Sequence, residues 1–204
     1  METQRESRIS IKRDMILDAA TAAFRDEGFE CTRMDRIADL SGSSKRTVYN
    51  HFGSKESLFQ AVIERLFDHV AELKQIEWTP DRPLEHQLAD FARAKTLVAD
   101  DDSTLCLMRV VLGVFIKQPE LVREAIARAA DDDNTLVRWL KRAHDAGQLE
   151  VEDPELAAEL FWAMAGGALF WPQLLDGRME AERRERLTRE VVATFLARYR
   201  STSG

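Results

Sequence analysis

The chain has 204 residues, 45% hydrophobic and 32% charged, with 29 Lys and Arg against 36 Asp and Glu for a formal net charge of −7. This is the composition of an ordinary globular chain of one large domain or two small ones, and it excludes a polybasic nucleic-acid coat, so any nucleic-acid surface must be a local patch. The two cysteines, Cys31 and Cys106, have neither CxxC nor Cys/His metal spacing, which excludes a disulfide framework or zinc site and leaves a redox switch as the one alternative to inert thiols.

METQRESRISIKRD holds no apolar stretch of signal-peptide type, so a cytoplasmic protein is expected. With nine Gly and five Pro and almost no alternating β-branched runs, helical periodicity dominates and predicts an all-α fold. A first helix is expected over about 10–27, with Ile16, Ala19, Ala20, Ala23 and Phe24 on one stripe and Gly28 as its left-handed stop. Thr32-x-x-Asp35 reads as a capping-box variant opening a short helix at 33–40. Ser41-Gly42-Ser43-Ser44 then makes a polar turn before a second short helix at 45–51, anchored by Val48 and Phe52. Two short helices about a glycine turn make a helix-turn-helix.

Ser54 offers the next N-cap. The apolar stripe from Leu58 to Leu73 predicts a long connecting helix, about 55–78, ending near Trp78. Thr79-Pro80-Asp81-Arg82-Pro83 is the clearest punctuation in the chain and divides a first domain, 1–55, from a second, 79–204. Further helices are expected at about 84–99, 104–117, 119–129, 134–146 closed by Gly147, 155–171 ending before Pro172, and 180–200. The longest uncharged run, Leu160 to Leu175, is interrupted by Gly166, Gly167 and Pro172, so it reads as buried helix with no membrane role.

Charge is uneven along the chain. Residues 1–55 hold ten Lys and Arg against nine Asp and Glu, and within 32–55 Arg33, Arg36, Lys45, Arg46 and Lys55 face only Asp35 and Asp39. That suits a phosphate surface. By composition alone, Lys45, Arg46 and Asn50 are a solvated helix face, and Tyr49 and Phe52 are core aromatics.

The ordered set Ile16-Leu17-x-Ala19-Ala20-x-x-x-Phe24-x-x-x-Gly28, Thr32, Ile37-Ala38-x-x-Ser41-Gly42 and Thr47-Val48-Tyr49-x-His51-Phe52-x-Ser54-Lys55-x-x-Leu58 resembles the N-terminal domain of the TetR family of transcriptional regulators. Phe115-x-x-x-Pro119-Glu120-Leu121, Asp153-Pro154-Glu155-x-Ala157-Ala158 and Phe170-Trp171-Pro172 are similar to its AefR-like subgroup. Ser41 and Ser43 depart from the Ala and Val commoner around the turn, a loss of apolar packing worth on the order of 1 kcal/mol.

The resemblance implies an N-terminal three-helix helix-turn-helix DNA-binding domain and a C-terminal helical ligand-binding and dimerisation domain. It implies that Lys45, Arg46, Thr47 and Asn50 reach base edges in the major groove, while Thr32, Arg33, Tyr49, His51 and Lys55 contact phosphates. Arg5, Arg8, Lys12 and Arg13 are candidates for an arm along the minor groove. Phe161, Met164, Ala168, Trp171, Leu187, Val191 and Phe195 are expected at a two-fold interface, intrachain core being the alternative. Phe91, Met108, Arg109, Leu112, Phe115 and Trp139 are candidates for an effector pocket. There Arg109 either meets an anionic ligand, pairs with an acid or snorkels to solvent.

No catalytic constellation is legible: His51, His69, His86 and His144 are scattered, and no GxSxG, HExxH, Walker A or GxGxxG string occurs. No catalytic residue, metal or cofactor is therefore assigned. The expected function is a ligand-responsive repressor, binding a palindromic double-stranded DNA operator as a homodimer and answering to a small-molecule effector. Its rivals are a constitutive DNA binder, and an all-helical small-molecule binder or enzyme keeping a vestigial helix-turn-helix.

Overall fold

The structure is a computed structural model that describes residues 2–68, 76–96, 102–129 and 135–201. In chain order the helices are α1 (Glu2–Cys31), α2 (Met34–Leu40), α3 (Lys45–Phe52), α4 (Lys55–Asp68), α5 (Leu84–Thr96), α6 (Asp102–Lys117), α7 (Pro119–Ala129), α8 (Thr135–Asp145), α9 (Pro154–Ala165), α10 (Trp171–Asp176) and α11 (Ala181–Tyr199). A π turn, Gly166–Phe170, joins α9 to α10. The fold is all-α; the extended pairing among the described residues is an isolated bridge between Leu149 and Arg200.

The helices gather into two compact units. The first holds α1–α4, α6 from Cys106 onward and α7, and the second holds α5 and α8–α11. These units are discontinuous in sequence, because residues 106–131 cluster with the first 68.

In the first unit the apolar stripe of α1 is buried as its spacing predicts, Ile16, Ala20 and Phe24 being wholly inaccessible. Phe24 meets Phe59 of α4 edge-on at 5.2 Å, and Phe29 closes the trio at 4.7 Å from Phe59. The α4 helix packs along α7, where the buried Gln60 amide donates to the Glu124 carboxylate at 3.0 Å. Gly28 breaks α1 at φ +77°, a conformation that a Cβ would penalise.

In the second unit the core is built from Leu88 and Phe91 of α5, Trp139 and Leu140 of α8, Phe161 of α9, and Val192 and Phe195 of α11. Gln87, fully buried, fastens the Thr79–Pro83 turn to this core. Its amide nitrogen donates to the carbonyls of Thr79 (2.9 Å) and Arg82 (2.7 Å), and its oxygen accepts from Thr79 N (2.9 Å) and Trp139 Nε1 (3.0 Å). All four hydrogen-bonding positions of the side-chain amide are thus used.

Three local expectations are corrected. The connecting helix does not reach Trp78, since residues 76–79 have no helical structure; residues 69–75 lie outside the described residues. Pro172 does not end the helical run: Trp171 N bonds to Gly166 O across the π turn, and the proline is accommodated in the first turn of α10. The Thr32 capping box does not form: Arg33 is the N-cap of α2 and has no side-chain capping bond.

Candidate nucleic-acid interface

The turn between α2 and α3 is closed by backbone bonds from Ser41 N to Ile37 O (3.0 Å) and from Ser43 N to Ala38 O (2.9 Å). Ser41 is buried, but its hydroxyl donates to Ala38 O at 3.1 Å, so the departure from alanine leaves no polar group stranded. Gly42 takes φ +56°, and its carbonyl accepts from the Lys12 ammonium at 3.1 Å. Ser44 caps α3 by accepting from Thr47 N at 3.1 Å and shares a 2.8 Å hydrogen bond with the Thr47 hydroxyl.

Inside this frame α3 has two faces. Val48 and Phe52 are buried against the unit, whereas Lys45, Arg46, Tyr49 and Asn50 are exposed and Thr47 and His51 half-buried. Among the described residues, the side chains of Arg46, Tyr49 and Asn50 make no hydrogen bond or ion pair. Lys45 is different: its ammonium lies 2.8 Å from the Asp35 carboxylate of α2, and that hydrogen bond raises its pKa above the ordinary lysine value.

The phosphate-contact set divides. Arg33 is exposed at the start of α2, and the His51 ring lies 6.2 Å from Phe52. Thr32 and Lys55, also expected at phosphates, make contacts within the unit. The Thr32 side chain is buried and its hydroxyl donates to Gly28 O at 2.7 Å. The Lys55 ammonium donates to the carbonyls of Phe29 (2.9 Å), Glu30 (3.3 Å) and Thr32 (3.3 Å) and sits 4.5 Å from the Phe29 ring centre. The physical reason is the end of α1 at Cys31: the last carbonyls of a helix have no amide partners within it, and a cation satisfies them.

Lys55→Met should therefore lower stability by about 2 kcal/mol, as for other lost hydrogen bonds from a charged donor, and leave the salt dependence of DNA binding unchanged. An unshifted melting curve together with a salt slope smaller by about one would instead assign Lys55 to a phosphate.

Lys12 and Arg13 are not a free arm. Both lie on α1, Lys12 bonded to Gly42 and Arg13 stacked 5.2 Å from the Phe52 ring centre; the side chains of Arg5 and Arg8 lie outside the described residues. The pairing of Asp35 with Lys45, of Lys12 with the Gly42 carbonyl and of Lys55 with the Phe29 carbonyl is not legible in the sequence, because each joins two elements at no fixed spacing.

The remaining candidate residues are dispersed. Phe91 and Trp139 sit in the core of the second unit, edge to face at 6.0 Å. Met108, Arg109, Leu112 and Phe115 lie on α6 in the first unit, with Arg109 exposed and Arg123 over the Phe115 ring at 5.9 Å. Of the interface set, Phe161, Val191 and Phe195 are buried in the chain's own core, Met164, Ala168 and Leu187 are half-buried, and Trp171 is 45% exposed. Leu156, Leu160 and Leu175 are exposed large apolar residues of the same α9–α10 run, which the sequence reading left out. Among the described residues no group of three or more His, Cys, Asp or Glu converges as metal ligands would.

Residues 16–62 match the family described as "Bacterial regulatory proteins, tetR family", and residues 86–201 match "AefR-like transcriptional repressor, C-terminal domain". The HTH-type transcriptional regulator RutR of Escherichia coli K12 is 30% identical over 164 residues, covering 78% of this chain and 74% of its own. A TetR family transcriptional regulator from Pseudomonas syringae is 35% identical with TM-score 0.75 over 95% of this chain and 98% of its own. SmeT, the repressor of the Stenotrophomonas maltophilia multidrug efflux pump SmeDEF, is 27% identical with TM-score 0.68 over 94% and 91%; its complex with triclosan aligns with TM-score 0.70 at 25% identity over 95% and 93%. The chain belongs to the TetR family of transcriptional regulators, with an AefR-like C-terminal half, and α2 and α3 are its DNA-binding helix-turn-helix.

Proposed function

We propose that the chain is a repressor that binds a palindromic operator as a homodimer and releases it when a small-molecule effector occupies its helical C-terminal part. The observation that carries this reading is the outer face of α3, where Arg46, Tyr49 and Asn50 are exposed and make no side-chain hydrogen bond or ion pair among the described residues, on a helix anchored by Val48 and Phe52. Lys45 and Arg46 donate to guanine O6 and N7, Asn50 pairs with adenine, and the Thr47 methyl touches thymine. Lys45 exchanges the Asp35 carboxylate for a base, so Asp35 disfavours every sequence that offers it no acceptor. Arg33, Tyr49 and His51 fix the register on phosphates.

Functionally, residues 1–55 read DNA, a connecting segment at about 55–78 follows, and 79–204 carry effector binding and dimerisation. Phe91 and Trp139 are taken up by the core, which leaves Met108, Arg109, Leu112 and Phe115 on α6 as the effector contacts; SmeT with triclosan supports such a role for a small molecule. The effector acts by linkage, weakening DNA binding through its differential affinity for two states. The dimer face is the exposed stripe of Leu156, Leu160, Trp171 and Leu175, with Gly167 between them allowing close approach of a partner helix. The protein works in the cytoplasm, without cofactor or enzymatic step; no helix among the described residues is long and apolar enough to cross a membrane.

Selection of bound duplexes from a random pool at fixed salt, with the protein's mass in solution recorded alongside, tests this reading. A palindrome held by an even number of subunits is expected. Replacing both Lys45 and Asn50 by Ala should narrow the gap between operator and random duplex by about 30-fold or more, since two base contacts worth roughly 1–3 kcal/mol each are lost, while binding to random duplex holds. An unchanged preference in that variant would remove α3 as the reading element.

A further inference from the structure

The second unit carries a groove between α5 and α11 that has no part in the operator reading. Its volume is about 770 Å³, and it is lined by Ala89 of α5 and by Val192, Ala193, Leu196 and Ala197 of α11, small or aliphatic side chains that make an apolar floor. That volume is far more than a lone ion needs and falls in the range of roughly 300–1,000 Å³ typical of sites for small organic molecules.

The rim is charged in a specific way. Arg93 of α5 pairs with Glu185 of α11 at 2.9 Å, and Arg200 pairs with Glu85; both pairs tie the two helices across the groove. Arg200 also holds the Glu85 carboxyl below its usual pKa. Both carboxylates on the rim are thereby neutralised from within the chain. Arg189 lines the same groove and makes no hydrogen bond or ion pair among the described residues. Glu185 stands one helical turn before it, where an ion pair would ordinarily form, but that carboxylate is engaged by Arg93.

We propose that the α5–α11 groove binds an amphipathic anion, with a single carboxylate on Arg189 and an aliphatic body on the Ala89, Val192, Ala193 and Ala197 floor. A guanidinium matches a carboxylate bidentately, and a medium-chain body covers apolar surface that water now wets. The bound molecule spans α5 and α11 and reinforces their contact. The site is independent of the operator reading, and its test uses the protein without DNA, so the failure of one leaves the other standing.

The test is calorimetric titration of the full-length protein with decanoate below its micellar concentration, and with 1-decanol as the uncharged counterpart. Wild type should bind one decanoate per chain and bind decanol more weakly. Arg189→Gln should weaken decanoate at least tenfold and leave decanol unchanged. Ala193→Trp, which fills the floor, should abolish both, while Arg186→Gln, on the same helix but outside the groove, should alter neither. All three altered positions are exposed, so melting should shift little; Ala197→Leu repeats the filling test if Ala193→Trp folds poorly. Absence of saturable decanoate binding to wild type, or decanoate binding that survives both Arg189→Gln and Ala193→Trp, overturns the assignment. A change of oligomeric mass in Ala193→Trp with decanoate binding intact also overturns it, and gives the groove to a second copy of the chain.

Discussion

Replacing Leu160 and Trp171 together by glutamate should give a folded protein that sediments as a monomer and binds its operator about 100-fold more weakly or worse at the same salt. Both side chains are nearly half exposed in the single chain, at 46% and 45%, so the substitutions remove little from the chain's own core. Across a two-fold interface each change counts twice, because the same patch faces itself. Burying a leucine-sized side chain is worth roughly 1.5–3 kcal/mol, and carboxylates in its place must be desolvated without partners. Operator affinity falls with dimerisation because the second half-site then loses the effective concentration that linkage supplies, commonly a factor of about 10² to 10⁴. Phe161→Ala and Phe195→Ala should behave differently. These rings lie edge to face at 5.3 Å inside the core, so truncation should unfold the second unit, by about 3–5 kcal/mol, rather than dissociate subunits. A dimer with full operator affinity in the glutamate variant would move the interface elsewhere.

Gln87→Leu should cost about 3–5 kcal/mol of stability although it replaces one buried side chain by another of similar size. The amide serves four backbone and side-chain groups, and its removal strands the Trp139 Nε1 donor, buried at 1% exposure. It also frees the Thr79 and Arg82 carbonyls and the Thr79 amide. An unsatisfied buried donor or acceptor costs roughly 1–3 kcal/mol, and the groups on the turn recover part of theirs from water. All four tryptophans, Trp78, Trp139, Trp162 and Trp171, fall in the second unit, so denaturant unfolding followed by tryptophan emission reads that unit directly. With roughly 2–4 °C of melting temperature per kcal/mol for a chain of this size, a fall on the order of 10 °C is expected. A loss below about 1 kcal/mol would mean that the turn is held by its prolines and not by the amide.

The first unit was the more legible part of the molecule. Its helix-turn-helix follows from local chemistry: Gly28 as a positive-φ stop, the Gly42 turn, and the Ser54 hydroxyl accepting from Ser57 N at 3.0 Å. The exposed face of α3 follows from the spacing of Val48 and Phe52. The contacts of Lys55 within the chain are not legible in the sequence. A lysine at the start of a helix beside a basic patch looks like a phosphate ligand, and only the approach of the broken end of α1 brings three carbonyls to its ammonium.

The second unit was less legible because an apolar run says that a helix is buried without saying by what. Phe161 shares the α9–α10 run with Trp171, and Phe195 shares α11 with Leu187, and spacing alone does not separate inward from outward positions. The π turn at Gly166–Phe170 adds a residue to that turn and shifts the helical phase from which faces are counted.

By itself, then, the sequence determined the all-helical class, the helix-turn-helix with its cations on α3, and the family, because each rests on contacts within one or two turns of chain. The tertiary structure alone decided which cations stay free, which aromatics are core, and where a groove opens between α5 and α11. Those outcomes depend on pairs far apart in sequence, such as Lys55 with Phe29 and Arg93 with Glu185, which no periodicity encodes.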